Sequence, residues 1–360
     1  MSKLNSKRMK ELEKIAIDKW PESFKSVEAD FTSGAVDFLE YTVEKPLARI
    51  RSLRNVLRDE FVQRNDAIDC CLASLISGVP ALLIGPPGVA KSMVIRQIKK
   101  YLGENAKNFE YLLTKFTTPE ELFGAAKLEE LKQGSFIRDT KGKIPEADLV
   151  FIDEVFRGSS QILNTLLTIS NEKIFHNPDP VDIPLLSVIG ATNSANKDPD
   201  LEAFYDRFPI RLLMDSVFEE YESEVGANQN EIAKSLLQRS LAMAVGPESK
   251  VDPKDMPVSD DFRLLGLYVR KYAAANYNNN PDFISIFLTL RKEMTYSDRT
   301  LSQVFQFGIA HSMLSEVTNT PKDEKIKQIF KLTCDNVQSA ARVQMLIDGI
   351  SNIPGTDPAP

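Results

Sequence analysis

The chain is short of the residues that build metal and disulfide sites, with three cysteines and two histidines in 360 residues. Cys70 and Cys71 are adjacent and Cys334 is remote, so no metal-ligand spacing and no disulfide framework can be drawn from them. They read as small apolar groups inside helices, suited to a reducing, cytoplasmic compartment. His176 and His311 stand alone in sequence and read as structural or surface residues. No apolar run approaches the roughly 18 to 20 residues of a membrane span, which argues against membrane insertion. The start, "MSKLNSKRMKELEKIAIDKW", carries charge without an apolar h-region and is no secretory signal. Basic residues are also in deficit: 44 Lys and Arg against 51 Asp and Glu leave a net charge of −7. That balance disfavours a general affinity for nucleic acid or an anionic membrane, and leaves room only for a local basic pore. No internal repeat or low-complexity tract alters the architecture.

What is present is ordinary globular material, 42% hydrophobic and 26% charged, long enough for two or three domains. Residues 1–45 are charged, contain the only tryptophan, Trp20, and read as a helical appendage. From Leu47 to Ile76 apolar residues recur at helical spacing and stop at Gly78. A strand "ALLI" follows, then four more short apolar runs: "FEYLLTKF" (109–116), "LVFID" (149–153), "LLSVIGAT" (185–192) and "IRLLMD" (210–215). Such runs, separated by helices or loops, predict a parallel sheet covered on both faces, an α/β unit over 46–215. From 216 to 350 the strand signals cease. "LSQVFQFGIAHSML" there is a helix with Leu301, Val304, Phe305, Ile309 and Met313 on its apolar face. The tail, 351–360, is rich in Pro and Gly and reads as disordered.

The stretch "ALLIGPPGVAKSMVIRQIKK" (81–100) nearly fits the phosphate-binding pattern G-x-x-x-x-G-K-[ST], with Ala90 in place of the second glycine. Phosphates must be approached by bare backbone N–H groups, which a small-residue loop entering a helix provides. Gly85 and Gly88 furnish the loop, Lys91 would reach the β- and γ-phosphates, and the Ser92 hydroxyl would ligate Mg²⁺. An alanine at 90 fits if its φ stays negative. In the helix that follows, Met93, Ile95 and Ile98 are expected on the apolar side.

In "ADLVFIDEVFR" four apolar residues lead to Asp153 and Glu154, two acids at the carboxyl end of a buried strand, where ligands sit in open α/β sheets. Asp153 would hold hydrated Mg²⁺ and Glu154 would polarise an attacking water, a pairing that favours hydrolysis over transfer to a substrate hydroxyl. A third strand delivers Asn193, whose amide can hold that water and touch the γ-phosphate. Arg207, ahead of the last strand, is placed to complete a neighbour's site or to serve as a surface ion-pair residue.

Taken with "FTTPEELFG" (116–124), "KIPEADLVFIDEVFRGSSQILNTLLTISNEKIF" (143–175), "ATNSANKDPDLEAFYDRFPIRL" (191–212) and "YSDRTLSQ" (296–303), the sequence resembles the MoxR family of AAA+ ATPases, and its RavA branch most. "GPPGVAKS" is similar to that branch's Walker A, alanine included. The similarity covers residues 50–350 and is most specific in the core. It implies an α/β AAA+ P-loop core with a parallel five-stranded sheet, followed by an all-α lid domain, with ATP and Mg²⁺ as cofactors. By the same resemblance Gly85, Pro86, Pro87, Gly88, Val89, Ala90, Lys91, Ser92 and Met93 cradle the nucleotide. Asp153 and Glu154 form Walker B, with Ser92 and Asp153 (through water) serving Mg²⁺. Asn193 is sensor 1, Arg207 the arginine finger, and Arg299 in "SDR" the sensor 2 arginine. Phe61 and Val62 are assigned to the adenine pocket by position.

The resemblance also implies a homo-oligomer, a hexameric ring, working as a chaperone-like remodeller of protein clients with a von Willebrand factor A domain partner. Whether Arg299 acts in its own subunit or across an interface stays open. "KLEELKQGSFIRDTKGKIPEAD" matches an insertion into the second helix, and "EKIFHNPDPVDIPLL" a hairpin before sensor 1. Lys132, Arg138, Lys141 and Lys143 are expected on a solvated hairpin. "TPEE" predicts a capped helix start at Thr118, Pro119 and Glu121. Two other function classes remain: a nucleic-acid motor, against which the acidic balance counts, and a nucleotide-switched scaffold, against which the Asp153 and Glu154 pair counts. The length leaves no room for RavA's long C-terminal extension, so functions tied to that extension do not carry over.

Overall fold

A computed structural model of the chain describes residues 35–102, 106–193, 207–217, 229–245, 255–276, 281–294, 297–315 and 328–334, with 340, 343 and 345. Trp20, the segment ahead of Ala35 and the 351–360 tail lie outside the described residues.

Five strands form one parallel sheet: β1 (Ala81–Ile84), β2 (Asn108–Leu112), β3 (Leu149–Asp153), β6 (Ser187–Thr192) and β7 (Ile210–Leu213). Their spatial order is β2-β3-β6-β1-β7, and each is one of the five apolar runs of the sequence. Register is set by period-two burial on two faces. Ala81, Leu83, Leu149, Phe151, Ile189 and Ile210 join one core cluster, and Leu82, Ile84, Val150, Ile152 and Val188 join the other. The second cluster is covered by α4 (Pro119–Phe123), α6 (Ser160–Glu172) and the hairpin of β4 (Ile174–His176) and β5 (Pro180–Asp182).

Against the first face lie α1 (Ala35–Glu60), α2 (Asn65–Ser77) and α3 (Lys91–Tyr101). Every residue of α2 from Ala67 to Ser77 is buried, the mark of a helix enclosed on all sides. Cys70 and Cys71 sit there fully covered, and burial pushes both thiols up, so they are inert packing groups. Gly78 ends α2 at φ 76°, the left-handed cap its position predicts. On α3 the buried side is Val94, Ile95 and Ile98, whereas Met93 is 46% exposed. Residues 93 and 95 lie about 200° apart on a helix, so they cannot share the apolar side expected of them.

Outside this face lie α7 (Gln229–Val245), α8 (Ser259–Asn276), α9 (Pro281–Met294) and α10 (Asp298–Leu314), of which α8, α9 and α10 put residues into its core cluster and α7 does not. α8 and α10 rest directly on α1 and α2. A Cβ on Gly266 of α8 would stand 2.6 Å from the carbonyl oxygen of Ile76, so only glycine permits this approach. The start of α8 is fastened to the amino edge of the sheet through Asp148, just ahead of β3. Arg263 pairs with Asp148, Ser259 Oγ donates to it at 3.2 Å, and the Lys107 amide at 3.0 Å. Arg54 forms a two-armed bond to Asp69 at 2.7 and 2.9 Å, locking α1 to α2. On α10 the buried face is Val304, Phe307, Ala310 and Leu314, while Leu301, Phe305, Ile309 and Met313 pack only partly. The second covering layer turns the deepest contact one position away from the stripe read in sequence. His311 stacks on Phe307, and burial lowers its pKa, as a structural histidine requires.

After β2 the chain forms α4, then α5 (Leu128–Lys132), and the segments on either side of α5 meet in a bridge between Ala126 and Arg138. Glu121 accepts from the Thr118 amide at 3.2 Å, which closes the expected helix start. The solvated hairpin expected for the basic residues is corrected in two places. Arg138 donates to the Gly124 carbonyl at 2.8 Å and Lys143 to the Glu121 carbonyl at 2.9 Å. Both are tied down because their stems reach orphan carbonyls of α4.

Two predictions arise here. Asp148→Ala leaves the Arg263 guanidinium buried without its carboxylate, and is expected to cost about 3 kcal/mol in denaturant unfolding; an unchanged midpoint would refute the anchoring role. Burial and the nearby Arg270 guanidinium pull Lys173, the αL cap of α6, down to about 7. Between about pH 7 and 10 the unfolded chain therefore binds a proton the folded chain does not, so stability rises with pH through that window. Lys173→Met should flatten that rise in a pH series of thermal midpoints.

Candidate nucleotide site at the carboxyl edge of the sheet

The carboxyl ends of β1, β3 and β6 are adjacent, so the loops after them meet. From Ile84 the chain passes Gly85 to Ala90 and enters α3 at Lys91. A Cβ on Gly85 would lie 2.1 Å from the Met214 carbonyl oxygen, which makes glycine obligatory where β1 and β7 splay. Gly88 and Ala90 have φ of 88° and 68°. The expectation of a negative φ at Ala90 is therefore wrong. The loop must curl so that successive N–H groups converge, and left-handed residues produce that concavity. For alanine the conformation costs roughly 1 kcal/mol.

Lys91 Nζ donates to the carbonyls of Gly85 (2.5 Å) and Pro86 (2.9 Å) and to Asn193 Oδ1 (3.1 Å). Burial lowers the pKa of this ammonium, and the charges of Asp153 and Glu154 oppose the shift. Ser92 Oγ donates to Asp153 Oδ2 at 2.8 Å. The Glu154 amide donates to Asp153 Oδ1 at 3.0 Å, and the Asn193 amide group donates to Glu154 Oε1. The five residues picked out in sequence thus form one connected network. Glu154 itself sits at φ 50°, strained for a non-glycine residue, at the turn that points it back over the sheet edge.

These donors fit a nucleotide triphosphate with a hydrated divalent cation. A concave loop of amides and a lysine suit phosphate, and a hydroxyl beside a carboxylate suits Mg²⁺. Pro86, Pro87 and Gly88 are exposed on the loop while Val89 is buried beneath it, so Val89 offers only backbone. Phe61 is buried in the first core cluster and Val62 is half-buried, both in the turn between α1 and α2.

That turn meets the loop through Arg64, which sequence reasoning missed. Its guanidinium donates to the carbonyls of Val89 (3.0 Å), Gln63 (2.8 Å) and Asp215 (2.8 Å). No local pattern announces such a residue, because two of its partners, Val89 and Asp215, lie on distant segments. Arg157, also missed, approaches Glu154 Oε2 at 3.5 Å. Its i, i+3 spacing in a helical turn was the available signal.

Arg207 and Arg299 do not join this cluster. Ile210 is in register with Ala81, the first residue of β1, and Arg207 precedes it, so Arg207 belongs to the amino edge. Gln303, one turn beyond Arg299 on α10, donates to Asn171 at the C-terminal end of α6. α6 runs back from the carboxyl to the amino edge, so Arg299, which is exposed, also lies at the amino edge. Four residues of β1 at ~3.3 Å each separate the two edges, beyond the reach of an arginine.

The fold and this network have the form of a P-loop nucleotide site on an AAA+ core. Residues 48–245 match the family described as the MoxR domain in the MoxR-vWA-beta-propeller ternary systems, and the chain belongs to the MoxR family. It is 36% identical over 253 residues to the uncharacterized protein MJ0812 of Methanocaldococcus jannaschii, covering 69% of this chain and 62% of that one. A second protein of that organism, the uncharacterized protein MJ0079, is 43% identical over 168 residues, 46% of this chain and 44% of its own. Structural protein ORF618 of Acidianus two-tailed virus is 31% identical over 238 residues, 64% of this chain and 37% of its own. The chain thus spans less than two thirds of the length of these curated relatives. A solved structure from Cytophaga hutchinsonii, described as a candidate ATPase, superposes with a TM-score of 0.58 at 18% identity. It covers 87% of this chain and 97% of its own, a likeness of fold. Among the described residues no helix is long and apolar enough to cross a membrane.

The loop geometry predicts opposite outcomes at its two ends. Gly85→Ala should abolish binding of a fluorescent ATP analogue and lower the thermal midpoint, because a backbone oxygen blocks the new methyl group. Ala90→Gly should leave both nearly unchanged, strain relief of roughly 1 kcal/mol being offset by added freedom of the unfolded chain. Equal effects of the two substitutions would contradict this account.

Proposed function

We propose that the chain is a Mg²⁺-dependent ATP hydrolase that works as one subunit of a hexameric, RavA-like ring and remodels protein clients in the cytoplasm. The observation that carries this reading is the separation of two sets of residues on one sheet. Lys91, Ser92, Asp153, Glu154 and Asn193 meet at the carboxyl edge, whereas Arg207 and Arg299 lie at the amino edge. A shared site between subunits reconciles them: the carboxyl edge of one subunit meets the amino edge of the next, and both arginines act in trans. The division into an appendage (1–45), a core (46–215) and a lid (216–350) belongs to the same proposal.

Bound Mg²⁺·ATP would supply the electrophilic γ-phosphorus and screen its oxygens. On that substrate Lys91 leaves the Gly85 and Pro86 carbonyls to hold phosphate oxygen, and the loop amides orient the chain of phosphates. Ser92 and Asp153 would hold the metal. Glu154 accepts the proton of the lytic water once Asn193 turns its amide from the carboxylate towards the phosphate. Arg207 of the adjoining subunit neutralises charge that develops in the transition state, and Arg299 does so from the lid side. A partner with a von Willebrand factor A domain follows from the ternary systems in which the matched family is described.

The 31% identity to a viral structural protein favours a second reading, a nucleotide-switched assembly scaffold with little turnover. Steady-state hydrolysis per subunit against protein concentration, with mass measured alongside, separates the two. The ring reading expects wild-type turnover to rise with assembly. It expects Arg207→Ala to assemble and bind ATP yet fall in rate by roughly 10³-fold, as loss of an arginine finger does. Equal rates for monomeric wild type and Arg207→Ala would overturn it. Negligible turnover in assembled wild type, no slower in Glu154→Gln, would favour the scaffold.

A further inference from the structure

The helix α7 stands largely clear of the body. Ile232, 3% exposed, and Arg239 are seven residues apart and share its inner face. Arg239 fastens that face by donating to the carbonyls of Arg58 (3.1 Å) and Phe61. Leu237 and Leu241, four residues apart, lie on the opposite side and are 61% and 57% exposed. A leucine pair at this spacing is an anchor pattern for a helix laid against a groove.

A matching recess lies elsewhere on the same chain. Between α8, α9 and α10 is a cavity of about 300 Å³ walled by Phe283, Ile284, Leu301 and Phe305, with Ala273 and Ala274 leaving the room and Ser302 on its lining. Leu301 and Ser302 follow Arg299 within the first two turns of α10, so the cavity sits beside that arginine at the amino edge. The leucine ridge is on the other side of the molecule. Its anchor, Phe61, adjoins Arg64, which holds the phosphate loop through Val89.

We propose that Leu237 and Leu241 of one subunit enter this cavity on the next copy of the chain, so that the two features are the halves of one contact. The inference rests on the ring reading and deepens it by naming a contact that sets the register of the shared site. A second copy is the occupant because the nucleotide site is incomplete without one. The docking that brings Arg207 and Arg299 to a neighbour's phosphates also turns the cavity-bearing face towards the ridge-bearing face. A contact between two different patches of the same chain is heterologous, and repetition closes it into a ring.

The test mixes two full-length variants, Leu241→Cys and Ser302→Cys, with ATP and Mg²⁺ under mild oxidation. Cys70, Cys71 and Cys334 are all fully buried and do not compete. A covalent dimer in the mixture, absent from either variant alone, is the expected result. Leu237→Asp with Leu241→Asp should raise the concentration needed for assembly at least about tenfold, as loss of an anchor side chain does. Binding of an ATP analogue by the monomer should stay as in wild type, which shows that the variant folds. Rings of wild-type mass that give no cross-link would overturn the contact while leaving the shared site intact. Wild type that never assembles, yet hydrolyses ATP without Arg207, would overturn the ring reading itself.

Discussion

The buried pair of Arg263 and Asp148 fixes which parts of this chain can meet. Asp148 sits one residue before β3 and also accepts from the Lys107 amide and Ser259, so one carboxylate ties β3, the approach to β2 and the head of α8. Two charges this far from water are costly unless each is fully engaged, and here Arg263 also donates to the Pro184 carbonyl at 2.9 Å. With that node set, α8 and α10 are committed to the α1 and α2 face, and α10 must begin at the amino edge. The placement of Arg299 is a consequence of packing at the opposite end of the sheet from the phosphate loop.

At the carboxyl edge the balance is different. Asn193 accepts from Lys91 and donates to Glu154, so its amide is committed at both ends, and Lys91 is further held by two loop carbonyls. Strain accumulates here as well, in the left-handed backbones of Ala90 and Glu154. A site that holds its own cation and carboxylates against each other is stable in itself and has to be rearranged by its ligand. Whatever ligand such a site takes, its affinity is reduced by the cost of undoing those bonds.

Much of this was legible in the residues. Five apolar runs became five strands because a sheet covered on both faces leaves no polar alternation to blur the signal. Lys91, Ser92, Asp153, Glu154 and Asn193 could be read because each follows a strand whose end is fixed by its last apolar residue. The φ of Ala90 could not, since a near-match to a motif says which atoms are needed and not how the loop bends to supply them. Arg64 was invisible for a different reason: its bonds reach 25 and 151 residues along the chain. The apolar face of α10 was read in part, with Val304 fully buried and Leu301, Phe305, Ile309 and Met313 packed partly beside it, because a helix packed from two sides has no single apolar stripe.

The close approach of Gly266 to Ile76 has a mechanical meaning. At Gly266 the backbone of α8 comes against the Ile76 carbonyl of α2 with no side chain between them, and α2 is enclosed by the sheet, α1 and α10. Helices so joined move as one body, because parting them exposes a dry seam and breaks the Arg263 node at once. A hinge between α8 and α2 is therefore closed to this chain. Any displacement of α8 must carry α2, and the sheet face it covers, along with it.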